Sequence, residues 1–293
     1  MEGSIWIWMV PTLLALFFYG IGQGLVKKYI AEVPPARFCL YFVMAKAIVN
    51  LGYFFTQDHT SLTDPVGRQF MLAGILAYIL DGAAWIFYFK SIVQGPITIV
   101  GTLSAAYPAL TVIFARIFLG EMLEPLQYVA VGLVIIGCIG LSYSPPDPTA
   151  KATKRSWILF ASSALILWGI AQTIVKYSYS LPNSNDANLA LYNTIGGFLT
   201  LGIYGFLYGR QGIHSGGEWA RSFGPMGLMA GGDLAVIIAT QKGPISVVTP
   251  VSGAYPLVTL GFAAWILKEK ITKLQWVCII LILIGIYKSS APA

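Results

Sequence analysis

The chain has 293 residues, of which 57% are hydrophobic and only 10% charged, with a formal net charge of +6. Soluble domains carry roughly 25% charged residues, so an ordinary soluble enzyme is excluded, as are the disordered, collagen-like and disulfide-rich classes. The composition is that of an all-α integral membrane protein. A bilayer core of about 30 Å takes about 20 apolar residues per helix. On that ruler ten spans are predicted, at 5–26, 36–56, 69–91, 96–118, 126–143, 157–175, 187–209, 222–241, 244–266 and 273–288. The first apolar run begins at Ile5 with no basic leader before it, so it reads as part of the fold and not as a cleaved signal. Trp6 and Trp8 near its start are expected at the membrane interface. Cys39, Cys138 and Cys278 all fall in apolar stretches and read as small core residues.

The longest polar stretch, SPPDPTAKATKR from Ser144 to Arg155, divides the chain nearly in half. The reading is a first five-helix unit at 1–143, a linker at 144–156 and a second unit at 157–293. The halves are related in sequence. At an offset of 148, Gly95–Val129 aligns with Gly243–Val277, with matches that include Gly95, Pro96, Ile97, Ser104, Ala106, Tyr107, Pro108, Thr111, Glu121 and Gln127. At an offset of 149, YGIGQGLVKKYI (19–30) aligns with WGIAQTIVKYSY (168–179). An odd number of spans per half inverts the second against the first. Inverted repeats are a hallmark of secondary transporters, whose substrate site lies near the midplane where the repeats meet. Twelve of the 18 Lys and Arg residues fall after the odd-numbered spans, and the positive-inside rule then puts both termini outside the cytoplasm.

Two five-span halves, each with a Gly-Pro turn, an SAAYP or SGAYP run (104–108, 252–256) and an LGE or LKE end (119–121, 267–269), resemble the drug/metabolite transporter superfamily. Within it they are similar to the ten-span EamA-type branch. The resemblance covers essentially the whole chain and implies a ten-helix fold with both termini cytoplasmic, against the charge tally. It leaves the cargo open, since such relatives export amino acids, import choline, or carry sugar phosphates and nucleotide sugars.

Asp81 and Asp233 lie near the middle of repeat-equivalent spans but out of register, Asp233 aligning with Trp85. Ionisable groups at that depth mark function unless they form a structural pair. The readings are proton coupling, recognition of an ammonium group, or a structural pairing with Lys46 or Lys90. Trp85 and Tyr88 follow Asp81 on one helical face and suit a cation–π contact. Gln23 and Gln172 are repeat mates, with Trp168 close to the second. Ser104 with Tyr107, and Ser252 with Tyr255, are expected to line the path. Pro108, Pro250 and Pro256 are expected to kink their helices mid-span as gates. Gly95-Pro96 and Gly243-Pro244 read as tight turns into helices. Glu121 and Glu269 are expected to serve the connection to the following helix, on opposite membrane faces.

His59 and His214 lack metal-ligand spacing, and neither a Walker sequence nor HExxH occurs, so no enzyme activity, cofactor or resident metal is expected. Nucleic-acid binding is not expected either. The reading is a secondary transporter, gradient-driven or exchanging, of a small polar metabolite. An amino acid or another amine-bearing solute comes first, with a coupling proton or cation left open. Divalent-cation or phosphorylated-metabolite transport is the alternative, the latter needing Lys46, Lys90 or Arg116 in the cavity. A non-transporting scaffold is the alternative class. The setting is the plasma membrane or a bacterial inner membrane. The chain is expected as a monomer or homodimer, with Gly205 and Gly209 as a packing pair.

Overall fold

The computed structural model describes residues 5–29, 33–94, 100, 106–142, 156–210, 216–266, 268 and 271–289. Among these residues all regular structure is helical: α1 Trp6–Tyr29, α2 Pro35–Thr56, α3 Arg68–Gln94, α4 Tyr107–Phe118, α5 Pro125–Ser142, α6 Ser156–Ser178, α7 Asp186–Gly197, α8 Ile203–Tyr208, α9 Gly216–Lys242, α10 Ile245–Gly253, α11 Pro256–Ile266 and α12 Lys273–Ser289. Seven runs are long and apolar enough to cross a bilayer. They are Trp6–Val26, Ala36–Thr56, Arg68–Ser91, Ser156–Ser178, Asp186–Tyr208, Gly216–Lys242 and Ile245–Ile266. Tyr107–Phe118 and Pro125–Leu141 are shorter apolar helices. Except for Ser156, the predicted linker lies outside the described residues, as do Gly95, Pro96 and Glu269.

Local chemistry sets the ends. Pro34 and Pro35 open α2, where a missing amide leaves no hydrogen bond unmade. Asn185 caps α7 by accepting from the Asn188 amide at 2.7 Å. The α7 run continues through a π-helical turn, Phe198–Gly202, into α8. The predicted ninth span is not one continuous helix. α10 stops at Gly253, Ala254 and Tyr255 form a turn, and Pro256 opens α11. The proline therefore restarts a helix and does not kink one. Pro108 likewise sits in the first turn of α4, and of the three predicted kinks only Pro250 lies inside its helix. The mid-span kinks expected at Pro108 and Pro256 are corrected accordingly.

The two sequence halves are interleaved. The most extensively packed pairs, α1 with α9, α3 with α6 and α5 with α12, each join one half to the other. So do α2 with α9, α3 with α7, and α2 with α7. Exchanging repeat-equivalent helices maps this pattern onto itself: α1 with α9 becomes α6 with α3, and α5 with α12 is its own image. Single residues repeat the relation. A Cβ on Gly20 would meet Val258, and one on its mate Gly169 would meet Leu110, the mate of Val258. Gly120 and its mate Lys268 both adopt left-handed backbone, at φ 66° and 59°, each one residue before a repeat-equivalent glutamate. The Gly205 and Gly209 pair packs within the chain, since a Cβ on either would meet the backbone of α2 at 2.9 Å.

Glu121 departs from its predicted role. Instead of serving the next helix, it crosses to the second half and caps α10. Its two carboxylate oxygens accept from the amides of Ile245 at 3.0 Å and Ser246 at 2.8 Å, and the Ser246 hydroxyl also donates to it. Beside it, Lys176 donates to the carbonyls of Thr240 at 3.0 Å and Gly243 at 2.7 Å, closing the end of α9. A carboxylate on a helix N-terminus and an ammonium on a C-terminus both complement the macrodipole. Glu121→Ala is expected to destabilise the protein by about 1–2 kcal/mol, read as a lowered thermal midpoint in detergent, with Glu121→Gln intermediate. An unchanged midpoint in Glu121→Ala would show that the cap contributes nothing.

Candidate functional site

The most polar interior cluster forms where α1, α2, α3, α7 and α9 meet. Lys46, near the middle of α2, is 1% exposed. Its Nζ lies 2.8 Å from Asp233 Oδ2 on α9 and 3.6 Å from Asp81 Oδ2 on α3. It also donates to Asn193 Oδ1 on α7 at 3.3 Å and lies over the Phe42 ring, 4.6 Å from its centroid. The other oxygen of Asp233 accepts from the Tyr19 hydroxyl on α1 at 2.6 Å. One turn beyond Lys46, Asn50 donates to Thr194 at 3.2 Å. Two carboxylates from different halves thus share one ammonium, leaving the cluster one negative charge in excess when both are ionised.

Close approach of α3 and α7 makes this meeting feasible. A Cβ on Gly82 would stand 1.9 Å from Thr200 Oγ1 in the π-helical turn, and one on Gly196 would stand 2.7 Å from the Tyr78 backbone. Glycine at both positions lets the helices touch, which brings Asp81 up to the α7 face that carries Asn193. π-helical turns of this kind recur at functional sites.

Asp81 and Asp233 are engaged unequally. Both Asp233 oxygens have close partners. Asp81 has the longer contact to Lys46 and a hydrogen bond with the Trp168 indole. Trp168 is the hub of an aromatic wall, with ring centroids 5.2 Å from Trp85, 5.5 Å from Tyr88 and 5.7 Å from Tyr107. Trp85 also packs edge-on to Phe42 at 5.7 Å. Trp85, Tyr88, Trp168 and Tyr107 are therefore brought together, and Trp168 links them to Asp81. Tyr255 lies on the other flank, 6.0 Å from the Tyr19 ring. Gln172, one turn along α6 from Trp168, buries its Oε1 with no hydrogen-bond partner. Gln23 is half-buried on α1. Ser252 turns its hydroxyl back to Val248 O at 2.7 Å, so its own helix occupies it. Ser104 lies outside the described residues.

The residues missing from the sequence-based candidates are Tyr19, Asn50 and Asn193, while Lys46 appeared there as a structural partner of the aspartates and as a cavity cation for a phosphorylated cargo. A signal for two of them was present. Lys46 is an isolated ammonium deep in an apolar run, and Asn50 follows it by one helical turn. Nothing in the sequence singles out Asn193, whose Nδ2 is buried without a partner, as is Asn50 Oδ1. Among the described residues no group of three or more His, Cys, Asp or Glu side chains gathers as a metal cage.

A second buried ion pair joins α2 to α9 nearer one membrane face. Arg37 grips Glu218 through both carboxylate oxygens, at 3.1 and 2.9 Å, and the Tyr41 hydroxyl donates to Glu218 at 2.5 Å.

Apolar spanning helices enclosing a buried charged cluster define a multi-pass membrane protein with a polar site at its centre. The EamA-like transporter family model matches the chain twice, over residues 4–143 and 155–290. The chain belongs to that family, whose members act in membrane transport. It is 27% identical over 137 residues to the uncharacterized transporter YwfM of Bacillus subtilis (strain 168), a match covering 46% of each chain. That match thus spans about half the length of the Bacillus relative. A second relative, the uncharacterized protein MJ1333.1 of Methanocaldococcus jannaschii, is 28% identical over 136 residues, covering 46% of this chain and 96% of that protein. One solved crystal structure superimposes with a TM-score of 0.76 at 16% identity, covering 96% of this chain and 95% of that one. That likeness shows a shared fold.

Proposed function

We propose that the chain is a secondary transporter, gradient-driven or exchanging, of a small polar metabolite, an amino acid or another amine-bearing solute. The proposal includes ten spans in two inverted five-helix repeats, and alternating access around the central cluster. Family membership supports the transport class, and the repeat-symmetric packing supports the inverted repeat. The observation that carries the cargo class is the Asp81 carboxylate, loosely held at 3.6 Å from Lys46 beside the Trp168 and Trp85 rings. An incompletely paired buried carboxylate next to aromatic faces attracts an ammonium, each cation–π contact contributing about 0.5–2 kcal/mol. The unpartnered Gln172 Oε1 adds a second acceptor for an ammonium N–H. The helix break between α10 and α11, with Pro250, Pro256 and the corresponding Pro108, is the part of the path where gating movement is expected.

The negative excess argues against a phosphorylated cargo, because Lys46 is already shared by two carboxylates. The test is uptake of radiolabelled amino acids, simple amines, sugar phosphates and magnesium into proteoliposomes of purified protein. Saturable uptake of an amine that sugar phosphates do not inhibit is the expected result. Flux of phosphate esters or magnesium alone would overturn the cargo class. Flux of nothing in the panel, from correctly folded protein, would favour a scaffold.

A further inference from the structure

We infer that Lys46 sets the valence of the cargo: it occupies one of two cation positions between Asp81 and Asp233, so that the site accepts a single positive charge and rejects a dication. The inference rests on the amine-site reading above and goes beyond it by naming the residue that counts the charge.

The geometry is that of a site built for two cations and half filled from within. Two carboxylates from α3 and α9 face one buried point, and the ammonium there sits asymmetrically, 2.8 Å from Asp233 and 3.6 Å from Asp81. Asn193 contributes a carbonyl oxygen to the same ammonium at 3.3 Å, while its Nδ2, on a residue that is 0% exposed, has no partner. Asn50, also 0% exposed, leaves its Oδ1 unpartnered one turn along α2. These unsatisfied atoms beside the charged groups are unusual for a static core, where buried polar atoms are generally paired. Of the two, the Asn50 oxygen is an acceptor that a cationic ligand can complete, whereas the Asn193 amide is a donor.

With Lys46 in place, one cargo charge neutralises the cluster, and a second would be left unpaired in a low-dielectric interior. Without Lys46, two carboxylates and the freed Asn193 oxygen would face each other with no counter-ion. That set matches a doubly charged ligand.

The experiment compares butylamine with putrescine, which have the same carbon chain and one or two ammonium groups, as labelled ligands of purified protein. The parent is expected to bind butylamine about tenfold or more tightly than putrescine, whose second ammonium finds no partner. Lys46→Met is expected to prefer putrescine by about tenfold or more, a factor of ten corresponding to about 1.4 kcal/mol. Lys46→Met combined with Asp233→Asn restores a single negative charge and should lose that preference. If Lys46→Met gains no preference for putrescine, or the parent binds putrescine as tightly as butylamine, the inference is overturned. Should Lys46→Met be unfolded when purified alone, it is purified in each amine. Recovery of monodisperse protein in putrescine and not in butylamine supports the inference, and recovery in neither overturns it. A parent that binds neither amine, with a Lys46→Met variant that binds putrescine, would refute the amine cargo and leave the valence role standing.

Discussion

Asp81→Asn is expected to lower uptake of a monovalent amine into proteoliposomes by about 30-fold or more, since losing one partner of a buried charge pair costs about 2–5 kcal/mol. Thermal stability should change little, because asparagine keeps the shape and Lys46 retains its closer partner, Asp233, at 2.8 Å. Asp233→Asn is expected to reduce uptake by a different route. Lys46, released from Asp233, would close on Asp81 and stand where the cargo ammonium belongs. Adding Lys46→Met to Asp233→Asn should then restore uptake, because Asp81 is left without a tethered competitor. Amine uptake by Asp81→Asn at the parent rate would sink the assignment of Asp81 as the cargo anchor.

The largest effect on stability is expected at Lys46. Lys46→Met removes the one ammonium between two carboxylates and should destabilise the protein by about 3–5 kcal/mol, the usual penalty for stranding a buried charge. The variant Lys46→Met with Asp233→Asn should recover most of the loss, since one of the stranded charges is gone. Thermal unfolding in detergent reads both. A Lys46→Met midpoint equal to that of the parent would mean the ammonium does not neutralise the cluster.

Much of the architecture is legible in the sequence because hydrocarbon thickness imposes a length on every spanning run, and apolar stretches of that length stand out. The duplication shows in the Gly-Pro, Tyr-Pro and Leu-x-Glu marks, and its physical sense is clear at Gly120 and Lys268. Both need left-handed backbone, which glycine adopts freely and lysine tolerates at a cost. Helix breaks are harder to read, because a proline in an apolar run kinks a helix in one context and opens one in another. Pro256 opens α11 after the Ala254–Tyr255 turn.

The candidate site is only partly legible, for a reason of geometry. Asp81 and Asp233 are conspicuous as acids in apolar runs, but no local pattern tells which helices become neighbours. Only the packing of α2 against both α7 and α9 brings Lys46 to Asn193 and Asp233. Charge tallies suffer in the same way. Arg37, at the start of a predicted span, is buried against Glu218. Lys176, just past the end of another, satisfies carbonyls at the end of α9.

The interleaving of the two halves has a consequence for biogenesis. As the ribosome releases the chain, α1, α2, α3 and α5 enter the bilayer before α6, α7, α9 and α12, their main packing partners, have been made. Lys46 and Asp81 belong to the early segment, and Asp233 and Asn193 to the late one. The nascent first half therefore waits in lipid with its small-residue faces uncovered and its central charges incompletely partnered. Topogenesis of each helix and consolidation of the bundle become separate events, and quality control acts in the interval between them.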